Sequence, residues 1–214
     1  MLPFTIVSGI AAPFPAANVD TDLIMPKKFL KGVDRTGLRD GVFHDLRFDP
    51  QGLPDETFIL NRPGWTEAAF LVVGPNFGCG SSREHAVWGL AQLGIRALIG
   101  TTYAGIFFDN CARNGLLAIT LQRHWIDELS TVVADPTQNR LTIDLPAQTI
   151  TWGRGQFRFD IDTRLKATLV AGLDAVGVTL QDRAAIRDFE QAYLEAHPWL
   201  GTPEAAVAAP RDGK

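Results

Sequence analysis

Residues 69–85 read Ala69-Phe-Leu-Val-Val73, then Gly74-Pro-Asn-Phe-Gly-Cys-Gly80, then Ser81-Ser-Arg-Glu-His85. The opening run is unbroken in its apolar character, which is the pattern of a strand buried on both faces. A glycine-rich turn follows it, and the spacing from about Ser82 to Leu93 predicts a helix. Further along, a strand at Ala97–Ile99, a helix at Ala104–Asn114 stopped by Gly115, a strand at Leu117–Thr120 and a helix at Trp125–Val133 continue the alternation. Strands and helices taking turns predict parallel βαβ units with right-handed crossovers.

Outward from this centre the pattern changes. Phe4–Val7 reads as a strand, and Pro13 with Pro15 forbids helix over Ala11–Pro15, leaving an ordered loop or a strand–loop transition. Pro26–Lys31 could open a short helix, Lys31–Gly41 is polar and glycine-punctuated and is expected to be a mobile loop, and Thr57–Leu60 reads as another strand. On the other side, Arg140–Asp144, Thr149–Trp152 and Gln156–Asp160 alternate strictly, predicting an antiparallel meander. Helices are expected at Thr163–Ala171 and Asp182–Ala196, and the Ala/Pro-rich tail at 201–214 is expected to be disordered. The fold expectation is one α/β domain over residues 1–200, with a mostly parallel βαβ centre, antiparallel strands and C-terminal helices.

Composition excludes several classes of function. Twenty Lys and Arg against twenty-four Asp and Glu leave a net charge of −4, where a nucleic-acid binder usually carries a basic excess. No apolar run approaches the ~20 residues that cross a bilayer, and the start lacks the basic and apolar regions of a signal peptide. The expectation is a cytoplasmic chain with no nucleic-acid or membrane partner. Two cysteines, Cys79 and Cys111, rule out a disulfide scaffold and a four-cysteine zinc site, and cannot by themselves hold an iron–sulfur cluster. His44, His85, His124 and His197 show no metal-ligand spacing, so the chain is expected to bind no metal or cofactor itself.

The chemistry concentrates in Gly78–His85. Two glycines let the backbone turn sharply and approach a ligand. The first turn of the following helix presents N–H groups without intrahelical partners at the positive end of the helix dipole. Arg83 adds a fork of donors matched to a carboxylate, so a small, multiply charged acid is the natural ligand. Two other readings stay open here. Ser81-Ser-Arg-Glu84 is also an S-x-x-E capping box, and Gly78-x-Gly80 is half of a dinucleotide fingerprint that lacks its third glycine.

Pro75–His85 resembles the G-x-G-S-S-R-E-H signature of the swivelling domain of the aconitase superfamily. Asn18-Val-Asp-Thr-Asp-Leu-Ile-Met-Pro26 is similar to that domain's N-x-D-T-D-x-I-x-P block, and Tyr103–Gly115 to its third block. A short chain without cluster cysteines resembles the separate small subunits of the 3-isopropylmalate dehydratase family, bacterial type. The resemblance implies a swivelling β/β/α domain and a hydro-lyase reaction of leucine biosynthesis, run with a large subunit that holds a [4Fe–4S] cluster. By the same resemblance Ser81 is the catalytic base, and Ser82, Arg83, Asp22 and Arg35 bind a small dicarboxylate. Asp22 could instead make an Asx-turn, and Lys27 and Lys28 could simply be solvated. His85, Cys79, Cys111 and His124 read as structural. Related hydratases acting on citraconate/methylmalate or homoaconitate, and a non-catalytic small-acid-binding module, are the alternatives.

Overall fold

Alternate side chains of the central apolar run face opposite sides of a sheet, and that alternation organises the molecule. In the computed structural model, which describes residues 1–31, 35–153 and 155–200, strand β2 (Ala68–Val73) sends Leu71 and Val73 into one core and Phe70 and Val72 into another. Its neighbour on one side is β1 (Ile6–Phe14) and on the other β3 (Ala97–Gly100), which pairs in turn with β4 (Leu117–Thr120), all parallel. Beyond β1 the sheet continues antiparallel through β5 (Arg140–Asp144), β6 (Thr149–Trp152) and β7 (Gly155–Arg158). The seven-stranded order is β4-β3-β2-β1-β5-β6-β7.

Two short helices, α1 (Thr21–Ile24) and α2 (His44–Arg47), precede β2. Helices α3 (Glu84–Leu93) and α4 (Gly105–Asn114) pack Val87, Leu90, Phe107 and Cys111 onto one sheet face. Helices α5 (Arg123–Val133) and α6 (Thr163–Ala171) cover the other through Ile126, Leu129, Val133 and Leu169. Both α3 and α4 stop at a glycine in the left-handed region, Gly94 at φ 108° and Gly115 at φ 77°.

Two compact units are distinguished, Met1–Asp174 and Ala175–Lys214. The first holds the sheet and helices α1–α6. Within the second, α7 (Ala175–Thr179) and α8 (Arg183–Ala196) are described, and α8 stacks Phe189 on Tyr193 with ring centroids 5.6 Å apart. The expected disordered tail at 201–214 lies outside the described residues, as do residues 32–34 of the expected mobile loop. No helix among the described residues is long and apolar enough to cross a membrane.

Two expectations are corrected. Strand β1 runs on through Pro13, because its pairing with β5 ends at Ile10 and the missing N–H there costs no ladder bond to that neighbour. Thr57–Leu60 is not a strand. Asp55 accepts from the Thr57 N–H at 2.7 Å and from its hydroxyl at 2.6 Å, and this Asx-type turn leads into a 3₁₀ turn at Ile59–Asn61.

Candidate active site

Because β1 and β2 are parallel neighbours, the segments leaving their C-terminal ends emerge side by side, and hydrogen bonds stitch them together. The Gly78 N–H donates to the Val19 carbonyl at 2.7 Å and the Thr21 N–H to the Cys79 carbonyl at 2.9 Å. The Thr21 hydroxyl, on a residue only 1% exposed, donates to the Ser81 carbonyl at 2.8 Å. Asn18 and Asn76, both near φ 56°, join through their side-chain amides at 2.8 Å. Gly78, at φ 76°, sits so close to α4 that a Cβ there would overlap the Phe107 ring. No L side chain fits that turn without displacing the helix.

These constraints leave a cleft of about 140 Å³ whose walls include Thr21, Ser81, Ser82, Arg83, Gly105 and Asn110. The starts of both α3 and α4 lack a side-chain cap. Their first-turn N–H groups therefore lend positive potential to the cleft from two directions. Ser81 and Ser82 are exposed at its mouth, and the Ser81 hydroxyl makes no hydrogen bond among the described residues.

The capping-box reading does not hold. Helix α3 begins at Glu84 with Arg83 in the cap position, so Glu84 lies too near the helix start to reach back to Ser81. Its carboxylate instead accepts from Asn114 Nδ2 at 2.7 Å, and Asn114 Oδ1 accepts from Trp88 Nε1 at 2.8 Å, tying α3 to α4.

The other predicted residues fall as follows. Asp22 forms an ion pair with Arg83, whose side chain is 13% exposed, and the hydrogen bond from that guanidinium holds the Asp22 carboxyl below its ordinary range. Asp20, not Asp22, makes the local turn, accepting from the Leu23 N–H at 2.7 Å as the cap of α1. Arg35 is not a wall of the cleft. Its guanidinium lies 4.4 Å from the centroid of the Trp88 ring and its carbonyl accepts from Gln92 Nε2, while Gln92 Oε1 accepts from the buried Leu38 N–H at 2.8 Å. Residues 35–41 of the expected mobile loop are thus anchored to α3. Lys28 pairs with Asp45 at 3.1 Å, and Lys27 is exposed. His85 packs against Trp88 and His124 against Trp125, and Cys111 is fully buried, which pushes its thiol well up.

Thr21 and Asn110 were not singled out from the sequence, although both lie inside motif blocks. Asn110 is a polar residue on the helix face that also carries Phe107 and Cys111, and that interruption was the available signal.

Comparison with known proteins gives a consistent result. The aconitase C-terminal domain family matches residues 1–124, and the family of C-terminal domains of the 3-isopropylmalate dehydratase small subunit matches residues 176–202. A 3-isopropylmalate dehydratase small subunit of Mannheimia succiniciproducens is 57% identical over 197 residues, 92% of this chain and 98% of that one. One from Salmonella typhimurium is 51% identical over 208 residues, covering 97% of this chain and 98% of its own. The crystal structure of a 3-isopropylmalate dehydratase from Methanocaldococcus jannaschii superposes with a TM-score of 0.63 at 27% identity, over 87% of this chain and 99% of that chain.

Proposed function

The chain belongs to the family of 3-isopropylmalate dehydratase small subunits, hydro-lyases of the aconitase type, and from that premise we propose how its cleft takes part in the reaction. The reaction converts 2-isopropylmalate to 3-isopropylmalate by loss and re-addition of water through isopropylmaleate, in leucine biosynthesis. A small subunit implies a large-subunit partner, and aconitase-type chemistry implies an iron–sulfur cluster. This chain's donors do not fit such a group. Its cysteines are Cys79 and the buried Cys111, and no three His, Cys, Asp or Glu gather among the described residues. We therefore assign a [4Fe–4S] cluster to the large subunit. We assign the chain to the cytoplasm because its reaction belongs to amino-acid biosynthesis.

Ser81 Oγ takes the proton from the carbon α to a carboxylate. The C–H electron pair becomes the new double bond as hydroxide leaves the adjacent carbon. When water re-adds with the opposite regiochemistry, Ser81 returns the proton. A serine hydroxyl gives up its proton only where the anion is stabilised. The uncapped helix starts and Arg83 supply positive potential where that charge develops. Arg83 binds a substrate carboxylate with its forked donors, assisted by Ser82, and Asp22 holds the guanidinium in place. Arg35, positioned by Trp88 and Gln92, contributes to recognition of the isopropyl end from outside the cleft. The observation that carries this reading is Ser81 itself. It is exposed at the cleft mouth, its hydroxyl is unengaged among the described residues, and its carbonyl is pinned by Thr21.

The test is turnover of 2-isopropylmalate by the chain reconstituted with a cluster-bearing large subunit. Ser81→Ala is expected to lower kcat by about 10²–10⁴-fold without loss of assembly. Near-normal turnover by this variant refutes the base assignment, and equal or greater turnover of citramalate by the unaltered pair refutes the substrate.

A further inference from the structure

One polar side chain in the cleft wall makes no hydrogen bond among the described residues. Asn110 is 6% exposed, lies midway along α4 and forms part of the cleft wall with Ser81 and Arg83. Its backbone carbonyl accepts from Asn114 Nδ2 at 2.8 Å, but its own side-chain amide is left unengaged. Among the described residues the sealed side-chain polar atom without a partner is Arg47 Nε, so the Asn110 amide keeps access to the cleft and is free to bond whatever fills it. Two polar side chains nearby, Asn114 and Thr21, are engaged elsewhere. Asn114 is bonded to Glu84 and Trp88, and Thr21 to the Ser81 carbonyl. Neither can turn to Asn110 without breaking a bond already made.

We propose that Asn110 is a substrate-binding residue whose side-chain Nδ2 donates to a carboxylate of the dicarboxylate held between the starts of α3 and α4. This rests on the reading of the cleft as the substrate site and adds a residue to it. Chemistry selects the partner. The cleft wall holds the uncapped start of α4, the hydroxyls of Ser81 and Ser82 and the cationic Arg83 just ahead of α3, so an anion is drawn there and an amide N–H completes its hydrogen bonding. The space beside Gly105, at the start of α4, is open, since a Cβ there would meet nothing within 4 Å.

Asn110→Leu keeps the branched skeleton of the side chain, with methyl groups in place of the amide oxygen and nitrogen. In the reconstituted two-subunit enzyme it is expected to raise KM for 2-isopropylmalate by about tenfold to a hundredfold, the range for a lost hydrogen bond to a charged group. The thermal midpoint of the full substrate-free chain should stay at the wild-type value or rise, because no internal bond is removed. A KM within about twofold of wild type overturns the proposal and leaves water as the amide's partner. A fall in the midpoint alongside the loss of affinity also overturns it, because the role is then structural. Ser81→Ala separates the two levels. If that variant is inactive while Asn110→Leu binds normally, only the Asn110 assignment fails. If Ser81→Ala is active, the reading of the cleft fails first.

Discussion

Replacing Thr21 by valine removes one hydroxyl and almost nothing else. The residue is 1% exposed, so the isosteric side chain keeps its packing, and its backbone N–H still donates to the Cys79 carbonyl at 2.9 Å. What disappears is the 2.8 Å bond to the Ser81 carbonyl, the tie that fixes the peptide bearing the proposed base. An intramolecular hydrogen bond of this kind contributes about 1 kcal/mol net, which for a domain of this size lowers the melting temperature by about 2–4 °C. The kinetic effect should be larger than that small stability loss suggests. A misplacement of about 1 Å in a reacting group can cost a hundredfold, so Thr21→Val is expected to reduce kcat by about tenfold to a hundredfold with little change in KM. The assay is steady-state dehydration of 2-isopropylmalate by the reconstituted pair, beside a thermal melt of the full chain. Thr21→Ser, which retains the donor, serves as the control and should keep most of the activity. If Thr21→Val melts about 2–4 °C lower yet turns over at the wild-type rate, Ser81 does not depend on this tie and the argument is refuted.

The remaining predictions concern the turn and its ion pair. Gly78→Ala should cost roughly 2–4 kcal/mol, since it combines a left-handed backbone with a Cβ driven into the Phe107 ring; urea denaturation measures it, and a loss below about 1 kcal/mol would show that α4 yields freely. Asp22 has a folded pKa below its unfolded value of about 3.9, so its contribution to stability is present above that value and fades as pH falls through the lowered one. Between about pH 5 and pH 2, then, the unaltered chain should lose more stability than Asp22→Asn, and parallel melting curves for the two would show that the Arg83 pair contributes nothing.

The parallel half of the sheet was legible because its strands are buried on both faces and so carry unbroken apolar runs. The antiparallel half was legible because one-sided burial imprints a period of two. Strand β1 was less so, since Pro13 reads as a strand breaker until the limited reach of β5 is known. Thr57–Leu60 has strand-like side chains, but the local Asp55 turn decides its conformation, a competition that side-chain type does not reveal. At the candidate site, the glycine turn, Ser81 and Arg83 stood out through chemistry that neighbours in sequence can display. The Asp22–Arg83 pair and the Thr21 tie join residues far apart along the chain, and the parallel pairing of β1 with β2 brings them about. The S-x-x-E pattern misled because helix α3 starts later than the pattern requires.

Trp88 stands where the segment carrying Arg35, α3 and α4 meet, with the Arg35 cation over its face and its indole N–H engaged by Asn114. Among the five tryptophans, it alone has an arginine over its ring within the described residues. An indole's emission responds to a nearby charge and to its own hydrogen bond, so any departure of the loop from the helix would register as a change in intrinsic fluorescence. The chain thus contains its own optical gauge of loop position, readable in solution without a label.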